Sequence, residues 1–308
     1  GTTEILSVRA QKLTQNIKIE IAWNPEFLRE GHAIQDTLNP DRLVLGRYVG
    51  GTAEQLTNEI YADLLASGTP LLVTDPTTAE LVKTAANAFL ATKISFINAI
   101  AEISDLVGAN VTDIADAMGY DDRIGRKFLN AGLGFGGGCL PKDIRGLMAR
   151  AGELGAAEAV AFLREVDNIN MRRRMRMVEV ARECCGGNLV GARIAILGAA
   201  FKPDSDDVRD SPALNVAGQL QLSGAMVTVY DPKSNENSRA VFPTLEYADS
   251  ALDASRAADL VLVLTEWREL TELDPNDLSA VVARKYIVDG RRCLDRRRWE
   301  ASGWGYRA

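Results

Sequence analysis

Apolar positions along this chain repeat with two different periods, and the change between them divides it. Ile5, Val8, Leu13 and Ile17 fall at helix-like spacing and lead into a β-rich run, Ile17 to Trp23, that stops at Asn24-Pro25. Leu43 to Gly46 and Leu71 to Val73 read as buried strands flanking a helix at Ala53 to Ala66. These are fragments of an α/β layer with no obvious first strand. From Thr77 to Val107 the positions Leu81, Ala85, Phe89, Thr92, Phe96, Ala99, Ile103 and Leu106 step by three or four, one face of a continuous helix. A helix of roughly 45 Å, at about 1.5 Å per residue, usually joins domains or pairs with a copy of itself. A second helical pattern runs from Ala156 to Cys185, and its Arg172, Arg173, Arg174 and Arg176 read as a solvated face.

Beyond Gly186-Gly187 the pattern changes to short strands. Arg193 to Leu197 reads as a strand, Pro212 to Leu222 as a helix with proline in its first turn, and Met226 to Tyr230 as a strand closed by Asp231-Pro232. Leu260 to Leu264 and Tyr286 to Val288 add two strands with a helix between them. Such a βαβ series predicts parallel strands joined by right-handed crossovers, hence an α/β fold with a doubly wound C-terminal sheet. Ligands of these sheets sit beyond the carboxyl ends of the strands, which puts Gly198 to Arg209 and Asp289 to Arg292 on one binding edge.

Composition narrows the function. At 308 residues the chain has room for about two domains of roughly 150 residues. With 46% hydrophobic and 25% charged residues and no low-complexity tract, it has the composition of a globular protein. No apolar run approaches the roughly 18 residues of a membrane span, and the N-terminus lacks the order of a signal peptide. A cytoplasmic protein with no membrane partner is expected. The net charge of -7 argues against nucleic acid as a partner, since binding phosphates needs a basic face. Four cysteines, two of them adjacent at Cys184 and Cys185, make no disulfide framework. The single histidine, His32, excludes multi-histidine metal centres, so no metal is expected, and acid–base chemistry falls to Lys, Glu and Asp.

The densest chemical signal is Gly132-Leu133-Gly134-Phe135-Gly136-Gly137-Gly138-Cys139-Leu140-Pro141-Lys142-Asp143. Five glycines in seven residues let the backbone approach a ligand closely and turn its N–H groups toward an anion. Pro141 suits a first helical turn, which would put Cys139 at a helix N-terminus, where the dipole and Lys142 favour a thiolate nucleophile. The bland alternative is a glycine-rich connector with a buried cysteine. Glu26 and Glu30 lie in a loop after the first β-rich run, where carboxylates reach a cleft or are merely solvated. Lys83 and Asn87 stand four apart on the long helix and can converge on one bound atom. Phe201-Lys202-Pro203-Asp204-Ser205-Asp206-Asp207-Val208-Arg209 stands where a dinucleotide fingerprint would have its glycines, and Lys202 can serve phosphate as a point charge.

Taken in order, Asn24-Pro25-Glu26-Phe27-Leu28, the Lys83 helix with Lys93-Ile94-Ser95-Phe96, Gly134 to Asp143, Phe201 to Arg209 and Asp289-Gly290-Arg291-Arg292 resemble the UDP-glucose/GDP-mannose dehydrogenase family. The resemblance covers nearly the whole chain. Asp122-Arg123-Ile124-Gly125 and Phe128-Leu129-Asn130-Ala131-Gly132 are more similar to the branch acting on UDP-glucose. It implies oxidation of the sugar C6 alcohol to a carboxylate with two NAD⁺ and one water, through a thiohemiacetal and a thioester on Cys139. It further implies acid–base or oxyanion roles for Lys83, a hydrogen bond from Asn87 to the same oxygen, a water ordered by Asp143 and thioester hydrolysis assisted by Glu26. The nucleotide-sugar pocket would comprise Phe27, Leu28, Asn130, Ala131, Gly132, Leu133, Gly134, Phe135, Gly136, Phe201, Lys202 and Arg291. Glu30, Lys142 and Arg209 would touch NAD, and Arg123 would reach the substrate of a second subunit, implying a homodimer or higher homo-oligomer through the long helix.

The implied domains are 1–76, a remnant of the NAD-binding Rossmann domain, 77–188, a helical dimerisation domain, and 189–308, a UDP-sugar-binding α/β domain. Two departures from the family pattern stand out. Gly138 replaces the usual Ser before the nucleophile, and the family's opening strand and Gly-x-Gly-x-x-Gly turn do not precede Gly1. That absence leaves open a non-catalytic module that binds nucleotide sugar and dimerises.

Overall fold

The computed structural model describes residues 1–14, 17 and 19–308, which divide into two units, Gly1–Asn87 and Ala88–Ala308. In the first unit α1 (Thr2–Leu13) and α2 (Ala33–Leu38) precede β1 (Leu43–Gly46); α3 (Ala53–Ile60) and α4 (Ala62–Ala66) then lead to β2 (Leu71–Thr74), parallel to β1. β1 is buried at all four positions, whereas β2 is only half-buried with Leu72 exposed, so the second expected buried strand is a strand but not a buried one. The expected single helix at 53–66 breaks at Tyr61, whose φ of -103° and ψ of 21° leave the helical region.

The expected strand at Ile17 to Trp23 does not form among the described residues, and Lys18 lies outside them. A strand needs a ladder, and only Trp23 finds one, exchanging hydrogen bonds of 2.8 and 2.7 Å with Gly46. Upstream, the Glu20 carboxylate accepts from the amides of Thr52 (2.7 Å) and Ala53 (3.3 Å) at the start of α3. A carboxylate drawn to a helix N-terminus outcompetes the β-rich composition of the run.

α5 (Pro76–Val107) is the expected long helix. Asp75 caps it by accepting from the Thr78 amide at 2.9 Å, and Gly108, at φ 72°, ends it. The face it buries is not the one the apolar spacing marked. Ala79, Ala88, Ala91, Ser95, Asn98 and Ala101 are buried, while Leu81, Phe89, Phe96, Ile103 and Leu106 are exposed by 47 to 87%. Small side chains allow close approach of neighbouring backbone, so a mostly narrow face packs, with Ile97 also fully buried on it, while the bulky residues of the marked face stay outside.

The second unit continues with α6 (Val111–Gly119), α7 (Leu140–Glu153), a 3₁₀ turn (Ala157–Val160) and α8 (Phe162–Cys184). β3 (Arg193–Leu197), α9 (Pro212–Leu222), β4 (Met226–Tyr230), α10 (Asn235–Val241), β5 (Glu246–Tyr247) and α11 (Ala251–Ala254) follow. The chain then runs through β6 (Leu260–Val263), α12 (Arg268–Thr271), α13 (Pro275–Ser279), β7 (Tyr286–Asp289), α14 (Arg296–Ala301) and β8 (Gly305–Arg307). The six strands are parallel in the order β5-β4-β3-β6-β7-β8, the doubly wound topology expected, with its switch point between β3 and β6.

Side-chain alternation builds a core on each face of this sheet. Ile194 and Ile196 pack with Leu214, Ala217, Met177 and Val178 of α9 and α8. Ala195 and Leu197 pack on the opposite side with Trp267, Trp299 and Trp304. Ser211, whose hydroxyl accepts from the Leu214 amide, and Pro212 start α9 as its sequence implies. No helix of the described residues is long and apolar enough to cross a membrane, and none of their His, Cys, Asp and Glu side chains group into a metal site.

Candidate active site

Residues 132–138, five of them glycine, form a loop that is buried from Ala131 to Gly137 yet belongs to no helix or strand, so its backbone polar groups need side-chain partners. Asn98 of α5 accepts from the Gly132 amide at 2.8 Å. Asn170 of α8 accepts from the Phe135 amide at 2.7 Å and donates to the Phe135 carbonyl at 3.0 Å. Arg173 donates to the Gly132 carbonyl at 3.0 Å. Arg174 donates to the Phe135 carbonyl at 3.1 Å and pairs with Asp210 at 2.8 Å. The packing leaves no room for a side chain at two of the glycines: a Cβ on Gly134, at φ 98°, would lie 2.4 Å from Asn170 Oδ1, and one on Gly136 2.3 Å from the Asp210 carbonyl.

These contacts correct the reading of Arg173 and Arg174 as part of a solvated face, whereas Arg172 and Arg176 are exposed as expected. Arg173 and Arg174 are 7% and 2% exposed, and burial lowers Arg173 from the usual guanidinium value against the pull of the Glu102 and Asp105 carboxylates. The sequence did hold a signal. Asn170, Arg173 and Arg174 fall on the same helical stripe as Leu163, Val166, Met177, Val178 and Ala181, all buried, so the stripe runs unbroken through polar residues.

The loop delivers Cys139 to the N-cap position of α7, with Pro141 in the first turn. Its thiol is exposed, while burial pushes the thiols of Cys184, Cys185 and Cys293 up. Lys142 is paired with Asp143 at 2.9 Å, and the Asp143 amide donates to the Cys139 carbonyl at 2.9 Å. The Arg209 guanidinium, held in a fork by Asp207, fills the space beside Gly138: a Cβ there would lie 2.6 Å from Arg209 Cζ.

The sheet edge completes this region. Arg291, from the turn after β7, donates to the carbonyls of Leu264 (2.8 Å), Phe201 (3.2 Å) and Gly134 (3.3 Å). The Phe201 ring lies against Gly137, and Lys202 lies 5.6 Å over that ring. Next to them is a cavity of about 210 Å³ lined in part by Arg126, Asn130, Ala131, Glu266 and Arg291. The structure thus gathers 131–138, Phe201 and Arg291 at the carboxyl edge of the strands. Arg123 stands apart, 89% exposed and forked onto Asp121.

The first unit holds the other expected residues. Glu26 and Lys83, read from separate motifs, form an ion pair, and Glu26 also accepts from the Leu28 amide at 2.7 Å. Phe27 carries the Arg42 guanidinium 3.8 Å from its ring centre. Asn87 follows Lys83 by one turn of α5, Glu30 is half-buried, and His32 sits at the N-cap of α2.

Family models agree with this architecture. The NAD binding, central and UDP binding domains of the UDP-glucose/GDP-mannose dehydrogenase family match residues 1–65, 77–172 and 195–296. A UDP-glucose 6-dehydrogenase of Rickettsia conorii is 39% identical over 299 residues, 96% of this chain and 68% of that protein. The chain belongs to the UDP-glucose/GDP-mannose dehydrogenase family. Another family member, a UDP-glucose 6-dehydrogenase of Rhizobium meliloti, is 42% identical over 94% of this chain, which spans only 65% of that relative. Among solved structures of the family, a UDP-glucose dehydrogenase from Pyrobaculum islandicum superposes with a TM-score of 0.89 at 35% identity, covering 100% of this chain and 68% of that one.

Proposed function

We propose that this chain serves the NAD-dependent oxidation of a nucleotide sugar at C6, converting UDP-glucose to UDP-glucuronate. The observation that carries the reading is Cys139, an exposed thiol at the N-cap of α7, at the end of a buried glycine loop docked on the ligand edge of a parallel sheet. Asn130 to Gly136, Phe201, Lys202 and Arg291 in the second unit, and Phe27 and Leu28 in the first, are assigned to the UDP-sugar. Arg209 and Lys142, 67% and 74% exposed beside Cys139, are a donor set that fits an anionic dinucleotide; with Glu30 they would hold NAD, which supplies a hydride acceptor.

The protein's own groups do the rest. Lys83, partnered by Glu26, handles the C6 hydroxyl proton as the first hydride leaves, and Asn87 donates to the same oxygen. The resulting aldehyde has no hydroxyl to drive a second hydride loss. The Cys139 thiolate adds to its carbon, a proton neutralises the oxyanion, and the thiohemiacetal then has the C–H and O–H that the second oxidation removes. The product is a thioester. Water ordered by Asp143, with Glu26 as base, adds to its carbonyl, the C–S bond breaks and Cys139 returns as thiolate.

The domain division 1–76, 77–188 and 189–308 is part of this proposal and is supported by the spans of the three family matches. A homodimer through α5, with Arg123 reaching the second subunit's substrate, is supported by the exposed Leu81, Phe89, Phe96, Ile103 and Leu106. Four free cysteines suit the reducing cytoplasm. The test is the NADH absorbance band on adding UDP-glucose and NAD⁺. Cys139→Ser should abolish formation of the acid, and unchanged glucuronate output would refute the thioester. UDP-glucose binding in a calorimeter with no NAD⁺ binding and no NADH would favour the non-catalytic module.

A further inference from the structure

α8 is anchored in two separate cores. Near its N-terminus Leu163 and Val166 pack with Ala91, Phe135 and Ile144; toward its C-terminus Met177, Val178 and Ala181 pack beneath the sheet. A helix gripped at both ends can neither slide nor roll, so side chains at its middle have fixed positions. Those side chains are Asn170 and Arg174, 0% and 2% exposed.

Both act on one residue of the glycine loop. Asn170 engages the amide and the carbonyl of Phe135 together, in the two-point manner of a strand partner, and Arg174 supplies the carbonyl with a second donor. Phe135 is four residues before Cys139. The remaining arm of Arg174 reaches Asp210, and the neighbouring Arg209 carbonyl accepts from the Gly137 amide at 2.9 Å. The middle of α8 therefore fixes both the loop that presents the thiol and the turn that presents the Arg209 guanidinium.

We propose that Asn170 and Arg174 are positioning residues that set the placement and reactivity of Cys139 through Phe135; only its consequence for turnover rests on Cys139 being the nucleophile. Arg174→Lys keeps a cation for Asp210 and loses the planar second arm to Phe135. Asn170→Asp keeps the acceptor for the Phe135 amide and removes the donor to its carbonyl. Each is made in the full chain, checked for native circular dichroism, and labelled with iodoacetamide from about pH 6 to about pH 9, with Cys139 followed by peptide mass spectrometry. A folded variant should show a displaced pH profile and a Cys139 labelling rate altered by about fivefold or more, with Cys185 labelling unchanged. If the parent also makes NADH, kcat should fall about tenfold or more, and by a larger factor than KM for UDP-glucose rises. An unchanged Cys139 profile in either folded variant overturns the proposal. Altered labelling with no turnover by the parent upholds it and refutes the enzymatic reading instead. Should Arg174→Lys not fold, Asn170→Asp alone decides.

Discussion

At the scale of single residues, the glycine loop separates positions that merely look alike. At Gly136 an added methyl would meet the Asp210 carbonyl, which is backbone and cannot yield, whereas at Gly138 it would meet only the end of the Arg209 side chain. Gly136→Ala is therefore expected to cost about 2 kcal/mol or more, and Gly138→Ser less than about 1 kcal/mol, in urea unfolding. Gly138→Ser should instead move Arg209 and weaken NAD⁺ binding if the assigned cofactor role holds. Replacing Arg174 by Met removes a nearly buried cation from a partner that is 30% exposed. The loss should be about 3 kcal/mol, at the lower end for a buried pair because water reaches Asp210. Cys139 was legible in the sequence because glycines and a following proline are local signals. Arg173 and Arg174 were not, since an arginine run is usually solvated and only its position on the buried stripe of α8 says otherwise.

At the scale of elements, Glu80 shows how one carboxylate fixes a helix. Burial works to raise it, but hydrogen bonds from the Thr3 hydroxyl and amide, both at 2.6 Å, outweigh that and hold it at about 2, below its usual 4.5. The folded state then binds fewer protons than the unfolded state between those values, so this stability is present above about pH 4.5 and is lost as pH falls toward 2. Urea midpoints measured across that window should decline more steeply for the parent than for Glu80→Gln, which should also be less stable at neutral pH. The same principle undid the expected strand at Ile17 to Trp23. Its β-rich residues marked it, yet Glu20 found amide donors at the start of α3, and a strand pattern without neighbours has nothing to pair with.

At the scale of the whole molecule, the exposed apolar face of α5 bears on assembly. Phe89→Glu combined with Phe96→Glu places two charges on that face without touching the buried Ala88, Ala91 and Ser95. Sedimentation should shift from dimer to monomer while helicity is retained; a parent that is already monomeric would remove the homodimer from the proposal. The C-terminal sheet was readable at this scale because each βαβ unit announces itself locally and handedness restricts how successive units can assemble.

The sequence alone determined the helices and strands that carry their own signals: Pro212–Leu222 with its cap and proline, the runs at Arg193–Leu197 and Met226–Tyr230, and the glycines ahead of Cys139. It also determined the family, through motifs spaced along nearly the full chain. Tertiary structure decided which face of α5 is buried, that Arg173 and Arg174 lie inside, and that Glu26 meets Lys83. Spacing reports only that residues share a face. Whether that face is covered, and by what, depends on the size and hydrogen-bonding needs of partners distant in sequence.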